Sequence, residues 1–102
     1  MIHEVVTMLG SSKFKDDFIR ESKRMTYEGY LVIPLILYWD EDGEKAMIPE
    51  NRRILDSICR QKVRMCDIVF VVNRNGYIGT STRNSIAYAK SLGKKIVYMV
   101  EV

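Results

Sequence analysis

The residues best suited to chemistry lie at positions 73–83, a segment rich in glycine, hydroxyl and amide side chains. It follows Ile68–Val72, an unbroken β-branched and aromatic run that predicts a strand buried on both faces. It precedes residues 84–92, whose apolar spacing predicts a helix that ends at Gly93. Because loops between a buried strand and a helix commonly bind phosphates or sugars, we expect an anionic ligand at this loop.

Each polar feature of this loop has a specific use. Gly76 and Gly79 permit a positive φ or a close approach of the backbone to a ligand. Ser81 and Thr82 are predicted to cap the following helix and to expose its N–H groups. Arg83 falls in the first turn of that helix, where its planar guanidinium could bind a phosphate or carboxylate, or else pair with a surface acid.

A second turn of the same character is Gly10-Ser11-Ser12, which also lies between a predicted strand and a predicted helix. Its backbone N–H groups and hydroxyls could face a phosphate, although such turns are also common without a ligand. Neither turn has the Gly-x-x-x-x-Gly-Lys spacing of a P-loop or the Gly-x-Gly-x-x-Gly spacing of dinucleotide-binding folds.

Tyr77 and Trp39 are candidates for stacking on a nucleobase. For Trp39 the alternative is that it fills an apolar space under an acidic loop.

The elements that would position these turns alternate between strand and helix along the whole chain. The predicted strands are residues 2–9, 30–38, 67–72 and 95–102. The predicted helices run from Phe14 to Gly29, from Pro49 to Met65 and from Asn84 to Leu92. In the second helix we expect four residues to face a core: Ile54, Leu55, Ile58 and Val63. Residues 39–48 form an acidic, turn-rich connection with Asp42-Gly43 as its hinge.

The order of the strands follows from one proline and from the handedness of crossover connections. Pro34 lacks a backbone donor and therefore favours an edge strand for residues 30–38. Right-handed crossovers then predict a four-stranded parallel sheet in the order 2-1-3-4, within a three-layer α/β sandwich. The order reverses between the first and third strands, where both glycine turns lie, so we expect a single ligand crevice at that point.

Composition bounds the protein class. The 102 residues predict a single domain. The 16 basic and 13 acidic residues give a net charge of +3 and are scattered along the chain, which indicates neither nucleic acid nor a membrane as a partner. Cys59 and Cys66 are separated by about 10 Å of helical rise, too far for a disulfide, and therefore indicate reduced thiols in a cytoplasmic protein. His3 is the sole histidine, so neither a zinc cluster nor a histidine-dependent triad is expected. We expect no cofactor, signal peptide or membrane span.

Four segments together resemble the nucleoside 2-deoxyribosyltransferase-like superfamily, and in particular its small bacterial and phage members. They are residues 7–14, residues 62–72, residues 76–83 and residues 86–89, and Gly-Tyr-Ile-Gly-x-Ser-Thr-Arg is the most specific of the motifs. The resemblance covers nearly the whole chain. It implies a flavodoxin-like fold, a nucleoside or deoxynucleoside monophosphate in the crevice, and a homodimer or higher oligomer whose partner completes the site.

The chain departs from that superfamily at its catalytic positions. Ser85 occupies the position of the nucleophilic glutamate, and Cys59 is the nearest match to the second catalytic acid. A serine without an adjacent base is a poor nucleophile, and cleavage of a glycosidic bond generally needs carboxylates. Asp56, Asp40 or Glu41 could substitute, or could be solvated surface acids.

The sequence therefore predicts a protein that binds a nucleotide or nucleoside derivative without the glutamate chemistry. The expected ligand-binding residues are Gly10, Ser11, Ser12, Phe14, Asn73, Gly76, Tyr77, Gly79, Ser81, Thr82 and Arg83. Two alternatives stay open. One is an active deoxyribosyltransferase or N-glycoside hydrolase that uses displaced carboxylates, and the other is a module that sequesters or senses a nucleotide signal.

Overall fold

Strands and helices alternate as the sequence predicts, with somewhat shorter strands. The computed structural model describes residues 1–35 and 48–101. The strands are β1 Val5–Gly10, β2 Leu31–Ile33, β3 Ile68–Val72 and β4 Lys95–Tyr98, the helices are α1 Lys15–Tyr27, α2 Pro49–Met65 and α3 Thr80–Ser91, and single 3-10 turns are formed by Ser12–Phe14 and Arg74–Gly76. Several sequence predictions lie outside the described residues: the end of the second strand, the Asp42-Gly43 hinge, and the proposed roles of Trp39, Asp40 and Glu41.

All three pairs of neighbouring strands are parallel, and their order is β2-β1-β3-β4. The predicted order is therefore confirmed, with the β2 strand that precedes Pro34 at an edge. The two central strands run in register, so that Gly10 at the end of β1 lies opposite Val72 at the end of β3. With helices on both faces, the architecture is a flavodoxin-like three-layer α/β sandwich.

The sheet separates two apolar cores. On one face, α1 contributes Phe18 and Met25, which pack with β1 and β3 residues such as Met8 and Phe70. On the other face, α2 and α3 pack against the alternate residues of the same strands, in a cluster of Leu9, Val63, Cys66, Val69, Val71, Ile86 and Ala89. Every residue of β3 is buried, which confirms the prediction of a strand covered on both faces.

The prediction for the apolar residues of α2 is correct only for Val63, which is fully buried. Within the described residues, Ile54, Leu55 and Ile58 are 52%, 37% and 39% exposed. The helix packs on the sheet through its C-terminal half, where Cys59, Val63 and the C-cap residue Cys66 follow one another at the i, i+4 and i+7 spacing of one helical face. Ile54 and Ile58 project from a different side of the helix.

Two glycines end helices as predicted. Gly29, after α1, has a φ of +97°, and Gly93, after α3, has a φ of +73°. Both values lie in the left-handed region that favours glycine at helix C-termini. None of the described helices has the length and hydrophobicity needed to cross a membrane.

Candidate functional site

The two glycine turns meet at the carboxyl ends of β1 and β3. The ring of Phe14, in the first turn, packs edge-on against the ring of Tyr77, in the second, with centroids 5.9 Å apart and planes at 77°. The ammonium of Lys13 lies 3.4 Å from the centre of the Tyr77 ring. Lys13 therefore covers one face of Tyr77, and a base that stacked on that face would have to displace it.

The first turn is tightly packed around Gly10, whose φ is +150°. A Cβ at this position would lie 2.6 Å from the carbonyl oxygen of Val72 and 3.0 Å from Cζ of Phe18. The glycine is therefore required by the packing of β1 beside β3. The hydroxyl of Ser11 accepts a hydrogen bond of 3.3 Å from the Lys13 backbone N–H, and Ser12 and Phe14 are half-buried in the 3-10 turn that follows.

The second turn begins with a buried amide. Asn73 has no exposed surface, and its side-chain NH2 donates to the carbonyl of Val100 at 2.8 Å, while its Oδ1 accepts from the N–H of Val100 at 2.8 Å. Both polar groups of Asn73 thus hold the segment after β4 against the end of β3. Gly76, by contrast, lies in the open, with a φ of +77° and no heavy atom within 4 Å of the Cβ that an alanine would add.

The predicted capping of the third helix by Ser81 and Thr82 is wrong. Helix α3 begins at Thr80, its N-cap is Gly79, and no side chain caps it. Ser81 and Thr82 lie inside the first turn, with Ser81 exposed and Thr82 buried against the protein. Gly79 has an extended backbone with a φ of −75°, so its conformation does not itself require glycine.

The N-terminus of α3 is suited to an anion. The first intrahelical hydrogen bond runs from the N–H of Arg83 to the carbonyl of Gly79, so the N–H groups of residues 80–82 have no partner within the helix. The first turn contains no acidic residue. Arg83 is exposed, its Nε donates to the carbonyl of Ile78 at 3.2 Å, and it pairs with no acid among the described residues.

The two positions that the resemblance assigns to catalysis lie side by side. Sγ of Cys59, on α2, is 3.6 Å from Oγ of Ser85, on α3. The Ser85 hydroxyl also lies 3.2 Å from the carbonyl oxygen of Ser81, to which it donates its proton. Because a carbonyl cannot remove that proton, the hydroxyl is not activated as a nucleophile. Asp56, the nearest acid along α2, is exposed.

An ion cluster beside the crevice was missing from the sequence prediction. Asp17, in the first turn of α1, is only 5% exposed and accepts hydrogen bonds from Arg74 at 2.5 and 2.6 Å and from Arg20 at 2.8 Å. The hydrogen bonds from Arg74, foremost, hold the pKa of the Asp17 carboxyl below its ordinary value of 3.8. The sequence contained a sign of this ion pair, because Asp17 follows β1 and Arg74 follows β3. The carboxyl ends of these two strands are neighbours in the predicted order, so residues of opposite charge that follow them can meet.

The described residues contain no group of three or more histidine, cysteine, aspartate or glutamate side chains able to hold a metal ion. Cys59 and Cys66 are both free thiols, as predicted.

Comparison of the chain with protein-family models, with curated proteins and with solved structures returned no match. The candidate site therefore rests on the geometry of the crevice, and the resemblance found in the sequence remains a prediction.

Proposed function

We propose that the protein binds a nucleotide or nucleoside derivative in the crevice between the two glycine turns and leaves its glycosidic bond intact. The observation that carries this proposal is the N-terminus of α3, which combines backbone N–H groups that have no partner within the helix with Arg83 and has no acid in its first turn. In an open parallel sheet, ligands bind outside the carboxyl ends of the strands where the order reverses, which is where this helix begins.

The contrast with α1 supports an anion at α3 in particular. The first turn of α1 carries Asp16 and Asp17, whose negative charges already complement the partial positive charge of that helix terminus. The first turn of α3 carries Arg83 instead. A phosphate at α3 would receive backbone N–H donors and a guanidinium, both of which favour negative charge.

The absence of glycosidic cleavage follows from the pair Cys59 and Ser85. An attacking carboxylate would form an ester with the sugar, and a second carboxyl group would protonate the departing base. A thiol and a hydroxyl within hydrogen-bond distance of each other supply neither group. The sequence resemblance further implies a homodimer and a nucleoside or deoxynucleoside monophosphate as the ligand, and both remain part of the proposal.

Binding and turnover can be measured separately. Calorimetry with the four common deoxynucleosides and their 5′-monophosphates tests binding, and chromatography of released base tests cleavage by wild type, Ser85→Glu and Asp56→Asn. We expect binding without base release by the wild type, and slow release by Ser85→Glu, because the N-terminal part of α3 keeps a carboxylate ionised. Asn84→Glu is the matched control, since it adds the same charge in the same turn at an exposed position.

The possible outcomes distinguish the proposed function from its two alternatives. Turnover by the wild type that Asp56→Asn abolishes would replace the binding protein with an enzyme that uses a displaced carboxylate. Tight retention of one ligand and no base release by any variant would favour the sequestering or sensing module. If the wild type binds none of the eight compounds, the proposed function is wrong.

A further inference from the structure

Arg74 reaches from the loop after β3 to the first turn of α1. Its Nε and Nη2 lie 2.5 and 2.6 Å from the two carboxylate oxygens of Asp17, a side-on pair with two roughly parallel hydrogen bonds. The Asp17 side chain is 6% exposed and the Arg74 side chain 47%. The guanidinium therefore covers the carboxylate on the solvent side.

The geometry of a guanidinium fixes where its remaining donors point. The group is planar, and Asp17 occupies the edge formed by Nε and Nη2. Nη1, with two N–H groups, lies on the edge directed away from Asp17. No described residue accepts a hydrogen bond from Nη1 of Arg74, and the Arg74 side chain is 47% exposed, so these donors are accessible to solvent.

The charges of the cluster are arranged asymmetrically. Arg20, the second partner of Asp17, also lies 3.8 Å from Glu21, and Glu21 in turn pairs with Arg24. Arg74 has no second carboxylate within ion-pair distance among the described residues. The end of the cluster that lies on the glycine-rich loop is thus its cationic end.

We propose that Arg74 is a binding residue for the anionic group of the ligand, with Asp17 as the positioning residue that fixes the plane of its guanidinium. This inference rests on the proposed function and adds a second cationic contact to the one expected from Arg83. Two features favour arginine here. A guanidinium can hold Asp17 with one edge and a phosphate with another, whereas an ammonium has no second edge. Arg83, by comparison, uses its Nε on the carbonyl of Ile78 within its own loop.

The test compares two replacements of Arg74 by calorimetry with the four deoxynucleoside 5′-monophosphates and the four deoxynucleosides. We expect Arg74→Gln to weaken binding of the monophosphates roughly 10- to 100-fold, the range of a charge-assisted contact, and to leave nucleoside binding within about twofold of wild type. Arg74→Lys should recover less than half of this loss on a logarithmic scale, because it keeps the charge but loses the fork.

Arg24→Gln is the matched control. Arg24 lies in the last turn of α1, away from the crevice, and pairs with Glu21 and with the C-cap residue Glu28. The substitution should leave all affinities unchanged. Thermal melts check folding, and if Arg74→Gln does not fold, Arg74→Lys carries the comparison.

Three results would overturn the inference. Wild-type binding of monophosphates that Arg74→Gln retains would remove Arg74 from the site and leave the proposed function standing. Full affinity of Arg74→Lys would show that charge alone suffices, and that Asp17 positions nothing that the ligand uses. Absence of binding by the wild type to all eight compounds would overturn the proposed function together with the inference.

Discussion

The buried carboxylate of Asp17 provides a sharp test of how the two crevice loops are held together. Asp17→Asn keeps the size of the side chain but removes its charge and replaces one acceptor oxygen with an NH2 group. That NH2 would face the donors of Arg74 or Arg20, so at least one of the present hydrogen bonds is lost.

The size of the effect follows from the type and exposure of these hydrogen bonds. Hydrogen bonds to charged groups contribute about 1.5–3 kcal/mol each. Because the side chains of Arg74 and Arg20 are 47% and 55% exposed, water replaces part of what they lose. We therefore expect Asp17→Asn to lower the free energy of unfolding by about 2 kcal/mol at pH 7, which corresponds to a fall in Tm of roughly 8–16 °C in a domain of this length.

The dependence on pH distinguishes a charge effect from a simple loss of packing. The pKa of Asp17 is lower in the folded protein than its ordinary value of 3.8, because Arg74 and then Arg20 hydrogen-bond the ionised form. Such a group stabilises the fold above its unfolded pKa, and the stabilisation is lost as the pH falls through the folded pKa. The difference in Tm between wild type and Asp17→Asn should be constant between about pH 5 and 7 and should shrink below pH 3.8.

Thermal melts by circular dichroism between pH 2.5 and 7 provide the measurement, with Asp16→Asn as the control. Asp16 is the preceding residue in the same helical turn and is exposed, so its loss should change Tm by less than about 3 °C. Equal effects of the two substitutions, or a difference for Asp17→Asn that persists unchanged at pH 3, would refute the role of the ionised carboxylate.

Two further predictions concern the crevice itself. Arg83→Ala should weaken binding of a deoxynucleoside monophosphate by about 1.5–3 kcal/mol and leave the nucleoside unaffected, as measured by calorimetry; equal losses would place Arg83 outside the phosphate site. Gly10→Ala should destabilise the protein by about 3 kcal/mol in urea unfolding, since its Cβ would meet the carbonyl oxygen of Val72 at 2.6 Å, while Gly76→Ala, which meets nothing, should cost about 1 kcal/mol. Similar costs for both glycines would contradict the packing role of Gly10.

The fold could be predicted because each of its determinants is local in the sequence. Alternation of apolar strands and helices sets the class, the unbroken run Ile68–Val72 sets the central strand, and Pro34 sets the edge. The handedness of crossovers then leaves little freedom in the order. Gly29 and Gly93 end helices through a conformational preference of the single residue.

Two sequence predictions, the buried face of α2 and the cap of α3, are wrong because tertiary packing decides them and the local sequence fits more than one arrangement. Ile54 and Ile58 have helical spacing, but so do Cys59, Val63 and Cys66, and the sheet contacts the second set. Likewise, a hydroxyl next to a helix start is a common cap, yet Thr82 is turned inward by the packing of α3. Neither outcome follows from spacing alone.

The glycine-rich loop also shows how a motif can mix structural and binding features. Asn73 holds the chain after β4 with both of its polar groups, and Gly10 in the neighbouring turn is explained by the packing of two strands. Asn73 and Gly10 thus have structural roles, and the groups of this segment that favour an anion are the N–H groups at the start of α3 and the guanidinium groups of Arg74 and Arg83. All of them lie in the segment that runs from the end of β3 to the first turn of α3. We therefore expect specificity for a phosphorylated ligand over its nucleoside to depend on this segment.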